Sequence, residues 1–99
     1  MAEYMPSRSN ANAHSSVASA VTSTTLLAAN PQRKGASIFN TDANALCIDM
    51  TGGTATTTTR FHVRLTQNQY FEVPFGYTGL ITGIWEADGA GAANVVEYT

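Results

Sequence analysis

Charge is scarce in this sequence. Only 12% of its 99 residues are Asp, Glu, Lys or Arg, about half the usual share of a soluble domain, and Lys34 is the sole lysine. Five scattered cations in a chain of net charge −2 cannot build the clustered basic face that a phosphate backbone requires, which excludes nucleic acid as a partner. Solubility must rest on Ser, Thr, Asn and Gln, and part of the surface is expected to be covered by other protein. Cysteine is scarcer still: Cys47 stands alone, so no intrachain disulfide forms and a secreted scaffold stapled by bridges is excluded. That points to an intracellular place of synthesis. Long hydrophobic runs are absent, and the opening Met1-Ala2-Glu3-Tyr4-Met5-Pro6-Ser7-Arg8 holds no apolar segment, so neither an export signal nor a membrane anchor is expected.

What remains is β-branched, aromatic and small polar. Residues 1–16 are too polar to bury the area that would offset the entropy of ordering them, and they are expected to form an extended N-terminal arm ahead of a domain over 17–99. Val17 to Ala29 predicts one or two strands with a break near Ser19, a helix being the competing reading for Leu26-Leu27-Ala28-Ala29. Asn30-Pro31 enforces a turn, and Ala36 to Asn40 resumes as a strand. Leu46, Ile48 and Met50 alternate with Cys47 and Asp49 as a half-buried strand would. Phe61, Val63 and Leu65 alternate with Arg60, His62 and Arg64, predicting one dry and one wet side. Tyr70 to Val73, with Phe71 and Val73 inward, ends at Pro74. The chain then centres on a predicted hairpin, Leu80 to Trp85 and Asn94 to Tyr98, joined by Asp88-Gly89-Ala90-Gly91-Ala92 with glycines free to take positive φ. Leu80 and Ile84 lie on one face of its first strand and Ile81 and Trp85 on the other, so both faces want cover, as in a central or interface strand. Short strands at this spacing predict an all-β fold, a small antiparallel β-sandwich or jelly-roll-like barrel.

Chemistry-bearing residues are few. The two histidines, His14 and His62, have no partner at metal or triad spacing, and His62 between two arginines reads as solvated. Cys47 has no activating base and reads as a small buried or interfacial thiol. Glu86 with Asp88-Gly89-Ala90-Gly91 resembles part of a calcium loop but lacks the full alternation of acidic ligands, so a turn is the better reading. No catalytic, cofactor-binding or metal-binding residue is therefore assigned. Tyr70, Phe75, Tyr77, Trp85 and Tyr98 could form an aromatic platform, the alternative being that Trp85 and Phe75 are simply core; Trp85 is expected in the core and Tyr77 at an interface. Arg33 is placed to clamp a backbone carbonyl or a carboxylate, an ordinary exposed arginine being the alternative.

Three stretches carry a resemblance over about Val17 to Thr99. They are Leu26-Leu27-Ala28-Ala29-Asn30-Pro31 with Arg33, Gly35, Ile38 and Asn40; Phe71-Glu72-Val73-Pro74 with Gly76-Tyr77-Thr78-Gly79; and Gly83-Ile84-Trp85 with Ala87 and Gly89. As a set they resemble small β-sandwich virion proteins of tailed bacteriophages, the decoration, cement or head-fibre modules of the capsid exterior. The resemblance implies a structural protein made in the host cytoplasm and carried on the capsid exterior. It would sit on the outer surface of the major capsid protein, associate with itself as a trimer, and stabilise the head. Tyr4, Arg8 and His14 of the arm, with Arg33, Tyr77 and Tyr98, are the candidate interface residues. A fibre module that stacks a host glycan on Tyr77 or Tyr70 is the alternative. An enzyme ranks last, because paired carboxylates and a nucleophile with its base are both missing.

Overall fold

The computed structural model describes residues 11–52 and 56–99, so Tyr4 and Arg8 lie outside the described residues. These residues form eight strands and no helix: β1 Asn12–Ala18, β2 Thr24–Leu27, β3 Gly35–Asn40, β4 Leu46–Asp49, β5 Val63–Leu65, β6 Tyr70–Val73, β7 Ile81–Trp85 and β8 Ala92–Tyr98. Two four-stranded antiparallel sheets result, one in the order β1-β8-β3-β6 and the other β2-β7-β4-β5. The all-β sandwich expected from the alternation is what the chain adopts.

Each sheet turns its apolar residues towards the other, and the core lies between them. Ala36, Ile38, Val73, Ala93 and Val95 come from the first sheet; Leu26, Leu46, Ile48, Leu65, Ile81 and Trp85 come from the second. Trp85, Ile38, Leu46, Ile48 and Ile81 are fully buried, each contributing about 1.5–3 kcal/mol of transfer free energy. β2 carries a register irregularity between Thr25 and Leu27. The extra residue lets both Leu26 and Leu27 pack on the core, which strict alternation would forbid. Gly83 lies against Leu26 and Leu46: a Cβ there would come within 2.8 Å of a Leu26 methyl and 2.9 Å of a Leu46 methyl. The absent side chain is space the leucines use.

One end of the sandwich is closed by polar side chains that leave no buried group unpaired. Asn40, fully buried, donates to the carbonyls of Asn44 (3.0 Å) and Leu65 (2.9 Å) and accepts from the Asp42 N–H (3.0 Å) and the Trp85 indole (3.1 Å). Asp42 accepts from the Asn44 N–H (2.7 Å) and the Gly91 N–H (2.9 Å). The N–H of Asn44 leads the groups that hold the Asp42 carboxyl below its ordinary pKa; burial works the other way, and Gly91 and Ser19 add to the lowering. At the opposite end Arg33, buried, reaches Glu97 (2.8 Å) and the carbonyls of Ala28 (2.5 Å), Tyr77 (3.2 Å) and Gly79 (2.9 Å).

Several expectations change. β7 and β8 do not form a hairpin: they lie in different sheets, and residues 86–91 cross between them. Gly89 and Gly91 have ordinary negative φ; they are glycines because a Cβ would lie 2.4 Å from the Asp42 carboxylate and 2.4 Å from its Cα, respectively. Positive φ occurs instead at Gly52, Gly76 and Asn68, the last in the turn that brings Gln69 N–H to the Thr66 carbonyl. Residues 12–16, assigned to the arm by composition, are strand, because β8 supplies a hydrogen-bonded partner that needs no buried side chains. β5 begins only at Val63, and Phe61 is exposed. β4 is buried on both faces rather than one. β7, by contrast, is the central strand its two apolar faces implied.

Candidate functional site

The outer faces of the two sheets are dressed differently, and the difference locates the site. On the second sheet, the outward residues Cys47, Asp49 and Thr82 are buried. Thr56 caps Thr82 through a 2.5 Å hydroxyl contact, and Arg64 and Glu86 pair at 2.6 and 2.9 Å close to Cys47. Burial pushes the Cys47 thiol pKa up, with Glu86 adding and Arg64 opposing. The thiol is fully buried and protonated at neutral pH, which is not the state of a nucleophile.

On the first sheet nothing among the described residues covers the outward side. Burial of Ala93 and Val95 on β8, of Ala36, Ile38 and Asn40 on β3, and of Val73 on β6 turns their neighbours outward. The outward rows therefore read His14-Val96-Ser37-Glu72 and Ser16-Asn94-Phe39-Tyr70 across the four strands, with Tyr98 beside Gly35 at one end. On this face Tyr70, Phe75 and Tyr98 line an open depression of about 420 Å³. They are 60%, 63% and 40% exposed, so Tyr70 and Phe75 are mostly available for contact and Tyr98 in part. Lys34 and Glu72 supply one charge of each sign, and Gly35 and Ser37 line the depression. A Cβ on Gly35 would meet only the Tyr98 ring, at 3.9 Å, so this lining position is bare by composition. Phe75 stands out because the Tyr77 N–H bonds to the Pro74 carbonyl (3.1 Å) around Gly76, whose φ of 87° L-residues rarely adopt. Chemically the depression can stack and hydrogen-bond. Its polar side chains are those of Lys34, Ser37 and Glu72 with the two tyrosine hydroxyls.

The remaining candidates separate cleanly. Tyr98 is at the rim, and His14 lies on the same outer face, exposed on β1. Arg33 is a sealed structural clamp, as the carbonyl-and-carboxylate reading anticipated, and offers nothing to a partner. Tyr77, expected at an interface, instead packs against the core, its hydroxyl 2.7 Å from the carbonyls of both Met50 and Leu80. Gly79 makes room for it: a Cβ there would sit 2.5 Å from that hydroxyl. Trp85 is core. His62 is not simply solvated: its Nδ1 accepts from the Met50 N–H (3.0 Å) and lies 3.1 Å from an Asp49 oxygen. A neutral Nδ1 serves the first contact and a protonated one the second. Burial pushes the Asp49 carboxyl up, but the Thr51 hydroxyl and N–H, with His62 and Arg60, outweigh it and leave the pKa lowered. Glu86, read as a possible calcium ligand, is held by Arg64. No group of three or more acidic, His or Cys side chains among the described residues is arranged to hold a metal ion.

No family profile, curated protein or solved structure matches this chain. The site must be argued from its own geometry. Sequence reasoning named Tyr70, Phe75 and Tyr98 as platform residues but joined them to Tyr77 and Trp85, which the fold withdraws. Phe75, which could equally have been core on the sequence, is 63% exposed; the signal that could have singled it out is its place between Pro74 and Gly76, at the centre of a turn.

Proposed function

We propose that this chain is a structural module of a larger assembly, and that the assembly is a bacteriophage head on whose outer surface it acts as a decoration protein. The observation that carries the reading is the asymmetry of the sandwich, with one outer face closed by its own chain and the other open and carrying three exposed aromatics around a depression. Aromatic rings concentrated on one face are the composition of a protein contact rather than of free surface. The choice of scaffold rests on the resemblance in the Asn30, Pro74 and Trp85 regions. In this role the module binds the major capsid protein and copies of itself. Binding only the assembled shell stabilises that shell by mass action.

Co-sedimentation tests it. Purified protein mixed with mature, DNA-free capsids should pellet with them, and Tyr70→Ser combined with Phe75→Ser should leave it in the supernatant while Trp85 fluorescence stays native. Wild-type protein that remains in the supernatant beside intact capsids would refute the reading.

A second reading is favoured by the same rim: tyrosine and phenylalanine around an opening with Lys34 and Glu72 is also suited to stacking a sugar ring. Here Tyr70 and Tyr98 replace Tyr77, which is packed against the core. Glycan-array binding lost on Tyr70→Ala would support a fibre module over a decoration protein.

A further inference from the structure

The edge strand β1 carries an inference that composition alone hid. The Ser19 N–H bonds to the Gly91 carbonyl (3.1 Å) and the Thr99 N–H to the Ala11 carbonyl (3.0 Å). With the β1–β8 register, these fix the odd-numbered residues as the ones bonded to β8. Asn12, His14, Ser16 and Ala18 therefore aim their backbone N–H and C=O groups away from the sheet. All four are exposed, and β1 is the outermost strand of its sheet.

The other three edge strands are protected and β1 is not. β2 has four residues and a register irregularity, β5 has three with Arg64 among them, and β6 has four, carries Glu72 and runs into Pro74. β1 has seven residues in unbroken register, with no Pro, Gly, Lys, Arg, Asp or Glu. Proteins that stay solitary blunt such edges. Moreover, only Val17 of β1 packs against the core, so hydrogen bonds to β8 are nearly all that order it. Ordering costs about 1–2 kcal/mol per residue, and a strand on the free edge would supply the missing ladder.

We propose that β1 pairs antiparallel with β1 of a second copy, about a two-fold axis at Ser15, joining two four-stranded sheets into one of eight. This register places Asn12 opposite Ala18 and His14 opposite Ser16 of the second copy, and engages all four free-edge residues of each strand in about eight hydrogen bonds. A second copy is the occupant because the strand is uncharged apart from His14, so a self-pair meets no like-charge row, and the two open faces become continuous. A three-fold ring would need β1 of each copy against a different edge of the next, and those edges are short, interrupted or charged. The inference stands on the edge geometry and does not rest on the decoration reading, since mass in solution and capsid binding are read separately.

Sedimentation equilibrium at about 10–100 μM tests it. Wild-type protein should run at twice its 10.5 kDa chain mass. Ser16→Pro removes an N–H that points away from β8 and bonds no described residue, a substitution edge strands tolerate, and should weaken the dimer at least about tenfold with Trp85 fluorescence unchanged. Ser16→Ala should not. Ser15→Cys, where two Ser15 positions face each other as a non-hydrogen-bonded pair, should give a covalent dimer under mild oxidation, since Cys47 is sealed. A wild-type monomer or trimer, a dimer indifferent to Ser16→Pro, or no Ser15→Cys cross-link would overturn the proposal.

Discussion

The two sheets hold the same number of strands, yet their outer faces behave as different kinds of surface. On the second sheet the chain covers itself: Thr56 on Thr82, His62 beside Asp49, and the Arg64–Glu86 pair near Cys47. The first sheet is left open, with Val96, Phe39 and Tyr70 in neighbouring outward rows and an unblunted edge at β1. A small domain has too little chain to cover both faces. Where it spends its long connection between β4 and β5 fixes which face is left open.

The contrast can be broken most forcefully at the arginines. Arg33 and Arg64 each pair with a glutamate, but the first is buried and the second is about half exposed. Arg33→Ala leaves Glu97 and three carbonyls without their donor and should cost about 3–5 kcal/mol, read as a large drop in the urea midpoint. The next largest effect comes from placing a lysine on each outer face in turn. Thr82→Lys buries a charge beneath Thr56 and should cost more than about 2 kcal/mol. Val96→Lys leaves the charge in water and should cost less than about 1 kcal/mol while abolishing association of the open face. Equal losses at the two positions would show that the faces are not different.

Acid sharpens the contrast more gently. Asp49 and Asp42 both titrate below their ordinary value in the folded chain, so each favours folding above about pH 4, where the unfolded carboxyl is ionised, and that contribution is lost as pH falls through the folded pKa. Urea midpoints should fall between pH 5 and pH 3, and Asp49→Asn should flatten the decline at the cost of a lower midpoint at pH 7. The smallest effect belongs to the solvent-exposed pair: Arg64→Ala should leave the urea midpoint unchanged within error. Cys47 should stay unreactive to a thiol reagent until the protein unfolds.

Much of the fold was legible because period-two alternation records which side of a strand is dry, as at Ala36 to Asn40 and Tyr70 to Val73. The hairpin at β7 and β8 misled because sequence adjacency favours pairing, whereas both faces of β7 are apolar enough to sit at the centre of the other sheet. Phe61 misled through an alternation that continues past the end of β5. Of the site, the aromatic residues were visible individually. Their grouping was not, because Tyr77 differs from Tyr98 only in finding two carbonyls and the space left by Gly79.

From the chain alone come the all-strand architecture and the burial of Trp85, which follow from local alternation, and the lack of an intrachain disulfide, which follows from a single cysteine; that the Cys47 thiol is buried in the fold itself came from the structure. Tertiary structure decided which sheet each strand joined, which of the aromatics were spent inside, and that β1 is the outermost of the described strands in its sheet. Those outcomes depend on long-range register and on where a connection lands, and neither is written in any short window of residues.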